Sequence, residues 1–600
     1  MAELAQTLLL LARPFLHAAL GLGILRGLAR ATRAPEAEPA GGGANALAAL
    51  FALGLLAHLA AAFALRLVGL PWWIASLLPL LPALAFLGAL RRLLASASAS
   101  LRRDWNLALF AIVSLLLGAS LFAVDGGVTT VWRNNYGDLA FHVGMIASFV
   151  LGGNVRPEYT VYAGELLSYP FLANLGSASA WWIAPTLPAL RRIFAVEWLV
   201  LWCAVYALLD GHRNRLLPWA LLFGGGSLFT LGENAGQRIE AGFPYSAFLP
   251  TVWVTQRAAL LGACAALAAL RFFQCALEEP EGAPGRRLGL AAAGVVLGLS
   301  PLAHLHLGAV AGLWIALVLA IHLPRSARDL AVFGLFALPT LLWLPWLVGK
   351  AGMLSLAAGW VTGDAARLAG GARLAASLGA WLRDAPVWLA LVAFLWWRTR
   401  RHDLFAPLAL LFAAGNLVQL AVWDWDQIKV FLGLYLVFLA LWSRLPGRAA
   451  RLAQAACLLL VVPGLVEAGA ALRSEARVVY TAEDVERATA VRERTPASAV
   501  IACAPRHNTL ATLTGRRLFV GYADTLWSHG IDSREREEML RDLSALAACT
   551  LPTCPTHLLW TESEQASWNA ETPGPGFEPT ELEYLYLVKR RARAEAPAPP

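Results

Sequence analysis

Charged side chains are scarce in this chain. Asp, Glu, Lys and Arg make up 15% of its 600 residues, where a soluble domain carries about 25%. With 58% hydrophobic residues and a mean hydropathy of +0.58, a soluble enzyme is excluded. Alternating strand patterns are missing too, so the apolar runs are read as helices, which satisfy their own backbone in lipid. Met1 to Arg30 lacks a basic start and a small-residue cleavage site, which favours a retained first helix over a removable secretion signal. There is no phosphate-cradling P-loop. The Gly-x-Gly of "GLGILRG" lies inside an apolar run with no strand before it. No metal-spaced Cys/His cluster stands in the loops, and no D-x-D lies near Asp138, so no metal site is expected. His304 and His306 in "HLHLG" are two residues apart, which on a regular helix turns them about 200° from each other.

What the chain has is apolar sequence in long runs. About fourteen stretches (roughly 12 to 15), most of about 18 to 24 residues, can cross about 30 Å of hydrocarbon as helix. They fall near 5–25, 44–66, 70–90, 105–124, 192–209, 216–232, 253–273, 288–302, 305–322, 329–349, 386–397, 404–423, 429–443 and 452–470. Arginines recur in alternate loops: after the first and third runs, at Arg213 and Arg215, Arg286 and Arg287, Arg325 and Arg328, and in the clusters Arg398 to Arg401 and Arg444 to Arg451. By simple alternation these share one side, and that side is cytoplasmic. Arg191 and Arg192 are the misfit. The net charge of +8 is therefore a topology signal, and no nucleic-acid partner is expected. The fold class is an α-helical polytopic membrane protein of the inner (cytoplasmic) membrane.

Four regions follow. Residues 1–104 carry three N-terminal spans, and 105–471 form the main transmembrane module with a long first external loop at 125–191. Residues 472–590 turn mixed polar, and 591–600 end in a disordered tail, "EAPAPP". In the loop, "SYPF" and "WWIAP" suggest interfacial or re-entrant helices anchored by aromatics. Residues 472–590 alternate amphipathic helix ("REREEMLRDLSAL") with short strand ("SAVIAC", "THLLWTE"), the pattern of one small α/β domain on the extracytoplasmic side. A Cys549–Cys554 disulfide suits an oxidising compartment, whereas Cys503 has no evident mate.

Polar residues gather at one depth, the outer ends of the runs. In "GDLAFHVGMIASFVL", Asp138 and His142 share a helix face at i,i+4. The same spacing also suits a plain helix cap with an interfacial histidine. "GENAGQRIEAGF" adds Glu233 and Arg238, "DWDQIK" adds Asp424, Asp426 and Lys429, and His304 and His306 lie at another outer turn. Lys429 also fits a snorkelling anchor. Opposed charges at this depth suit an anionic lipid headgroup.

The block "GDLAFHVGMIASFVLGGNVRPEYTVYAGELLSYPF" resembles the first external loop of the GT-C superfamily of membrane glycosyltransferases, relatives of the protein O-mannosyltransferases. "TQRAALLG", "SPLAHLHLG", "WDWDQIKVFLGLYL" and "LTGRRLFVGYADTLWSHGID" are similar to blocks of one uncharacterised bacterial branch with a C-terminal soluble domain. The resemblance covers roughly residues 105 to 535. It departs in placing three spans before the loop, where the superfamily usually has one.

The resemblance implies a sugar donor on polyprenyl phosphate, with the first-loop carboxylate, here Asp138, as catalytic base. His142, Glu233, Arg238, His304, His306, Asp424, Asp426 and Lys429 are the candidate substrate-binding residues, with Arg238 and Lys429 leading for the phosphate and Arg257 behind them. The expected partners are this lipid-linked co-substrate, membrane lipid, and an acceptor that is a glycan, a lipid or a protein. No cofactor is expected, and a divalent metal stays open. For the C-terminal domain the resemblance offers acceptor recognition or a cap, with Trp527 and His529 facing the site. The plainer reading is a structural domain. Two other functions fit the composition: a transporter or lipid flippase, which Glu197 in "FAVEWLVLW" would suit, and a non-catalytic envelope-assembly protein.

Overall fold

The computed structural model describes residues 1–34, 43–101, 104–226, 247–323, 325–348, 355–356, 368, 370–420, 424–445 and 448–589. The chain divides into two compact units. Met1–Ala123, Thr130–Asn135 and Ser168–Arg477 form the first; Val124–Thr129, Tyr136–Leu167 and the chain from Val478 form the second.

Among its described residues unit one is mostly helix, because Leu- and Ala-rich runs form helix readily. It opens with α1 (Ala2–Ala31), α2 (Ala44–Leu67), α3 (Trp72–Leu77), α4 (Leu87–Leu101) and α5 (Trp105–Ala119). Glycines let α1 and α2 touch: a side chain at Gly21 would strike the Leu50 carbonyl, and one at Gly54 the His17 carbonyl. Small residues at such a seam are how membrane helices approach closely. With α6 (Asn135–Leu151) placed mainly in unit two, unit one resumes at α7 (Leu172–Trp181), α8 (Leu187–Leu208), α9 (Leu217–Leu222) and α10 (Arg257–Glu278). It continues through α11 (Pro284–Leu299), α12 (Pro301–Ile321), α13 (Ala327–Ala337) and α14 (Pro339–Val348). The last helices are α15 (Gly370–Asp384), α16 (Pro386–Thr399), α17 (His402–Leu417), α18 (Ile428–Ser443) and α19 (Arg448–Leu472). Helix α10 is central, packing on α2, α8, α11 and α12, and α18 is buried along its whole length.

Among the described residues, six helical stretches are long and apolar enough to cross a membrane: α1, α2, Trp72–Ser98, α10, α12 and the Ala455–Leu472 part of α19. Two bent pairs raise this to as many as eight: α13 with α14, bent by 55°, and α15 with α16, bent by 93°. Other expected runs are shorter helices, such as the 15-residue α5 and the 16-residue α17 and α18. The run at 216–232 begins as the six-residue α9, and its end lies outside the described residues. Helix α7, from the expected long loop, is buried at every residue but Ala173. Arg286, one of the loop arginines, is buried and bonded to Asp329 at 2.6 Å, so it is held by packing as well as by topology.

Unit two joins two segments far apart in sequence. A three-stranded sheet runs in the order β1 (Ala123–Asp125), β2 (Gly127–Thr130), β5 (Arg477–Tyr480), and β3 (Ser355–Leu356) pairs with β4 (Val418–Gln419) in unit one. The larger sheet is mixed. Its strands β6 (Val500–Ala502), β7 (Arg517–Leu518), β8 (His557–Leu559), β9 (Phe577–Pro579) and β10 (Leu585–Val588) lie in the order β7-β6-β8-β10-β9. Strand β6 is parallel to β7 and β8, and β10 is antiparallel to β8 and β9. The first-loop segment lies along the β7 edge: Leu518 N–H donates to the Thr160 carbonyl at 2.7 Å, and Gly521 N–H to the Val161 carbonyl at 2.8 Å.

Candidate functional site

The helix carrying Asp138 is docked by glycines in it and at its end. Gly137 and Gly144 in the helix, and Gly152 just after it, meet His507, Thr512 and the Gly515 carbonyl; a Cβ at Gly137 would stand 2.8 Å from His507 Nδ1. Arg516 closes the other end of α6, donating to the Leu151 carbonyl at 3.0 Å and to the Thr495 carbonyl at 2.6 Å. Arg517 pairs with Glu158 at 3.2 Å, and Arg536 donates to the Ala163 and Phe519 carbonyls at 2.9 and 2.7 Å. The arginines of "GRRLFVGY" are therefore ties between the two segments, more than turn residues.

Asp138 occupies the first turn of α6, where the helix dipole favours a carboxylate, and is partly exposed. His142, one turn on, is buried at 1% exposure, so it is no interfacial histidine. The Phe141 ring lies between the His142 ring (5.8 Å) and the His529 ring (5.6 Å), and His529 also meets Tyr159 at 5.5 Å. His507 packs on Tyr522 with ring centroids 3.8 Å apart, and the Tyr522 hydroxyl donates to Asp524 Oδ2 at 2.7 Å. Burial pushes the His507 imidazole below its ordinary value, against a smaller upward pull from Asp524. That hydrogen bond to Asp524, with burial, raises the Tyr522 phenol. Trp527 is half exposed. Sequence reasoning missed His507, which stands six residues ahead of the "LTGRRLFVGYADTLWSHGID" block.

Unit one holds a second group. His304, His306, Asp426 and Lys429 lie near one another. Lys429 Nζ bonds Asp426 Oδ1 at 2.6 Å, and Gln256 Nε2 reaches the same oxygen at 3.5 Å. Both charges act on His306, and Lys429 also acts on His304. Lys429 is buried and therefore does not snorkel. As it stands, the pair is neutral. The expected 200° splay of the histidines is corrected: α12 breaks at His304 (φ −165°, ψ 111°), and the two rings lie 5.9 Å apart. Pro301 opens this helix, and Gly262 leaves room for the kink, since a Cβ there would strike the His304 side chain. Glu233 and Arg238 lie outside the described residues, as does the side chain of Asp424, whose backbone forms a short 3-10 turn. Among the described residues no group of three or more His, Cys, Asp or Glu could hold a metal ion. Arg257, the lesser phosphate candidate, bonds Glu197 at 2.6 Å.

In unit two, Cys549 and Cys554 form a disulfide with their Cα atoms 5.8 Å apart, and Cys503 is a free, buried thiol that burial pushes up to about 12. The apolar helices of unit one make the chain a multi-pass α-helical membrane protein. Compared with known proteins, it matches no protein-family model and no curated sequence.

Proposed function

We propose that the protein is an integral-membrane glycosyltransferase that moves a sugar from a polyprenyl-phosphate donor to an extracytoplasmic acceptor, with inversion at the anomeric carbon. Asp138 is the general base for the acceptor hydroxyl. The observation that carries this reading is a partly exposed carboxylate in the first turn of a helix that belongs to unit two, in an otherwise lipid-adapted chain. A lipid-linked donor suits such a chain, because its phosphate already sits at headgroup depth. Arg238 and Lys429 are assigned to the departing phosphate; for Lys429 this requires exchanging Asp426 for the substrate. In this reading about fourteen runs cross the membrane, the shorter helices α5, α17 and α18 included. The Cys549–Cys554 disulfide supports an extracytoplasmic unit two, since such bonds persist in oxidising compartments.

A lipid flippase or transporter is the second reading, favoured by the part-buried Arg257–Glu197 pair. One variant separates the two. Asp138→Asn is expected to lower sugar transfer about 10²–10⁴-fold, the usual worth of a general base, with the purified protein still folded. The assay is transfer from a panel of polyprenyl-phosphate sugars. Undiminished transfer in the variant, or none by the parent protein with any donor, would refute the reaction.

A further inference from the structure

Unit one contains a cavity of about 90 Å³ whose wall includes Arg13, His17, Glu197 and Arg257 among apolar side chains. Arg13 lies near the middle of α1, a helix able to cross a membrane, and is only 6% exposed. Its Nη2 bonds Ser179 Oγ, and its Nη1 donates to the Gly176 carbonyl at 3.4 Å. Arg257 donates from Nη2 to Glu197 Oε2 at 2.6 Å and to Ser177 Oγ at 2.8 Å. Arg13 Nε and Arg257 Nη1 are buried with no partner among the described residues.

His17 adds no charge to this wall. His58 Nε2 faces the Ser76 carbonyl at 3.0 Å, and a carbonyl can only accept. His58 therefore donates there and accepts from His17 Nε2 through Nδ1, also at 3.0 Å, which satisfies both rings when neutral. Two guanidinium groups (+2) then share one carboxylate (−1), and Glu197 acts on both. The wall is left with one unmatched positive charge and two idle N–H donors, a costly state inside an apolar helix bundle. An anion relieves both.

A second observation says what kind of anion. This cavity shares Pro14, Phe51 and Val200 with a larger one of about 630 Å³ between α1, α2, α5 and α8, lined chiefly by small and apolar side chains such as Ala18, Ala48, Ala108 and Ala111. We propose that the two together bind a lipid phosphate, its headgroup against Arg13 and Arg257 and its hydrocarbon chain in the larger cavity. The smaller volume has room for about six to nine water-sized spheres at 10–15 Å³ each. That accommodates the five heavy atoms of a phosphate. This site does not depend on the proposed transfer reaction, because it is read by binding.

The test is a titration of delipidated, detergent-solubilised full chain with farnesyl phosphate, farnesol and inorganic phosphate. Farnesyl phosphate should bind saturably, and the other two at least about tenfold more weakly, because each lacks half of the ligand. Arg13→Gln should weaken farnesyl phosphate about tenfold or more, as loss of a charge-assisted hydrogen bond predicts. Ala108→Trp, which fills the chain cavity, should weaken it too, whereas Glu197→Gln should tighten it by removing the competing charge. Should Arg13→Gln not purify as a folded protein, Arg13→Lys, which keeps the charge and loses the fork, is expected to weaken binding as well. Asp138→Asn should bind as the parent does; loss there would assign the ligand to the transfer site and overturn the proposal. Equal affinity for farnesol or for inorganic phosphate, or indifference to both Arg13→Gln and Ala108→Trp, would also overturn it.

Discussion

Burial holds His507 below its ordinary imidazole value of 6.5, and this has a consequence for stability. Between its folded value and 6.5 the unfolded chain binds the proton and the folded chain does not, so stability rises with pH across that window. The contribution is intact above about pH 6.5 and is lost as the pH falls through the folded value. His557, also pushed down by burial, adds in the same direction. Melting of the full chain should therefore fall between about pH 7.5 and pH 5, and His507→Gln should flatten that fall; an unchanged slope in the variant would count against it. Asp138 and His142 were legible in the sequence as one helix face, because i,i+4 spacing needs no tertiary information. Their surroundings were not. His507 and His529 lie more than 360 residues away, and no local pattern marks them as neighbours of Gly137 and Phe141; the family resemblance points to His529 but not to His507.

At the scale of single elements, close approach decides more than propensity does. Helix α6 presents Gly137 and Gly144, and just past its end Gly152, to the segment His507–Gly515; at Gly152 an added Cβ would meet the Gly515 carbonyl. Backbone cannot retreat as a side-chain tip can. Gly152→Ala should thus cost about 1–3 kcal/mol, the usual price of overpacking, read as a lower melting temperature. Gly27→Ala in α1, where nothing stands within 4 Å of the added carbon, should be close to neutral and serves as the control. The apolar runs predicted α1, α2, α10 and α12 well, since length and hydropathy suffice for them. They misjudged the stretch around His304, where Pro301, Gly262 and the helix break combine across two elements.

For the whole molecule, the arginine pattern predicts which side of the membrane each segment faces. In intact cells, a membrane-impermeant maleimide should label Trp527→Cys, on the exposed surface of unit two. Arg400→Cys, at the exposed end of α16, should react only after the membrane is opened. Reversed labelling would put Asp138 on the wrong side for a lipid-linked donor facing outward.

Composition and periodicity alone determined that this is a helical membrane chain with mixed polar sequence at its end, because burying apolar runs in lipid is a property of each run by itself. Only tertiary structure decided that residues 136–167 fold with the chain from Val478. The same holds for Arg13 and Arg257 sharing one Glu197, and for the two histidines meeting at a kink. Those outcomes depend on which distant backbones can approach, and a one-dimensional pattern carries no measure of that distance.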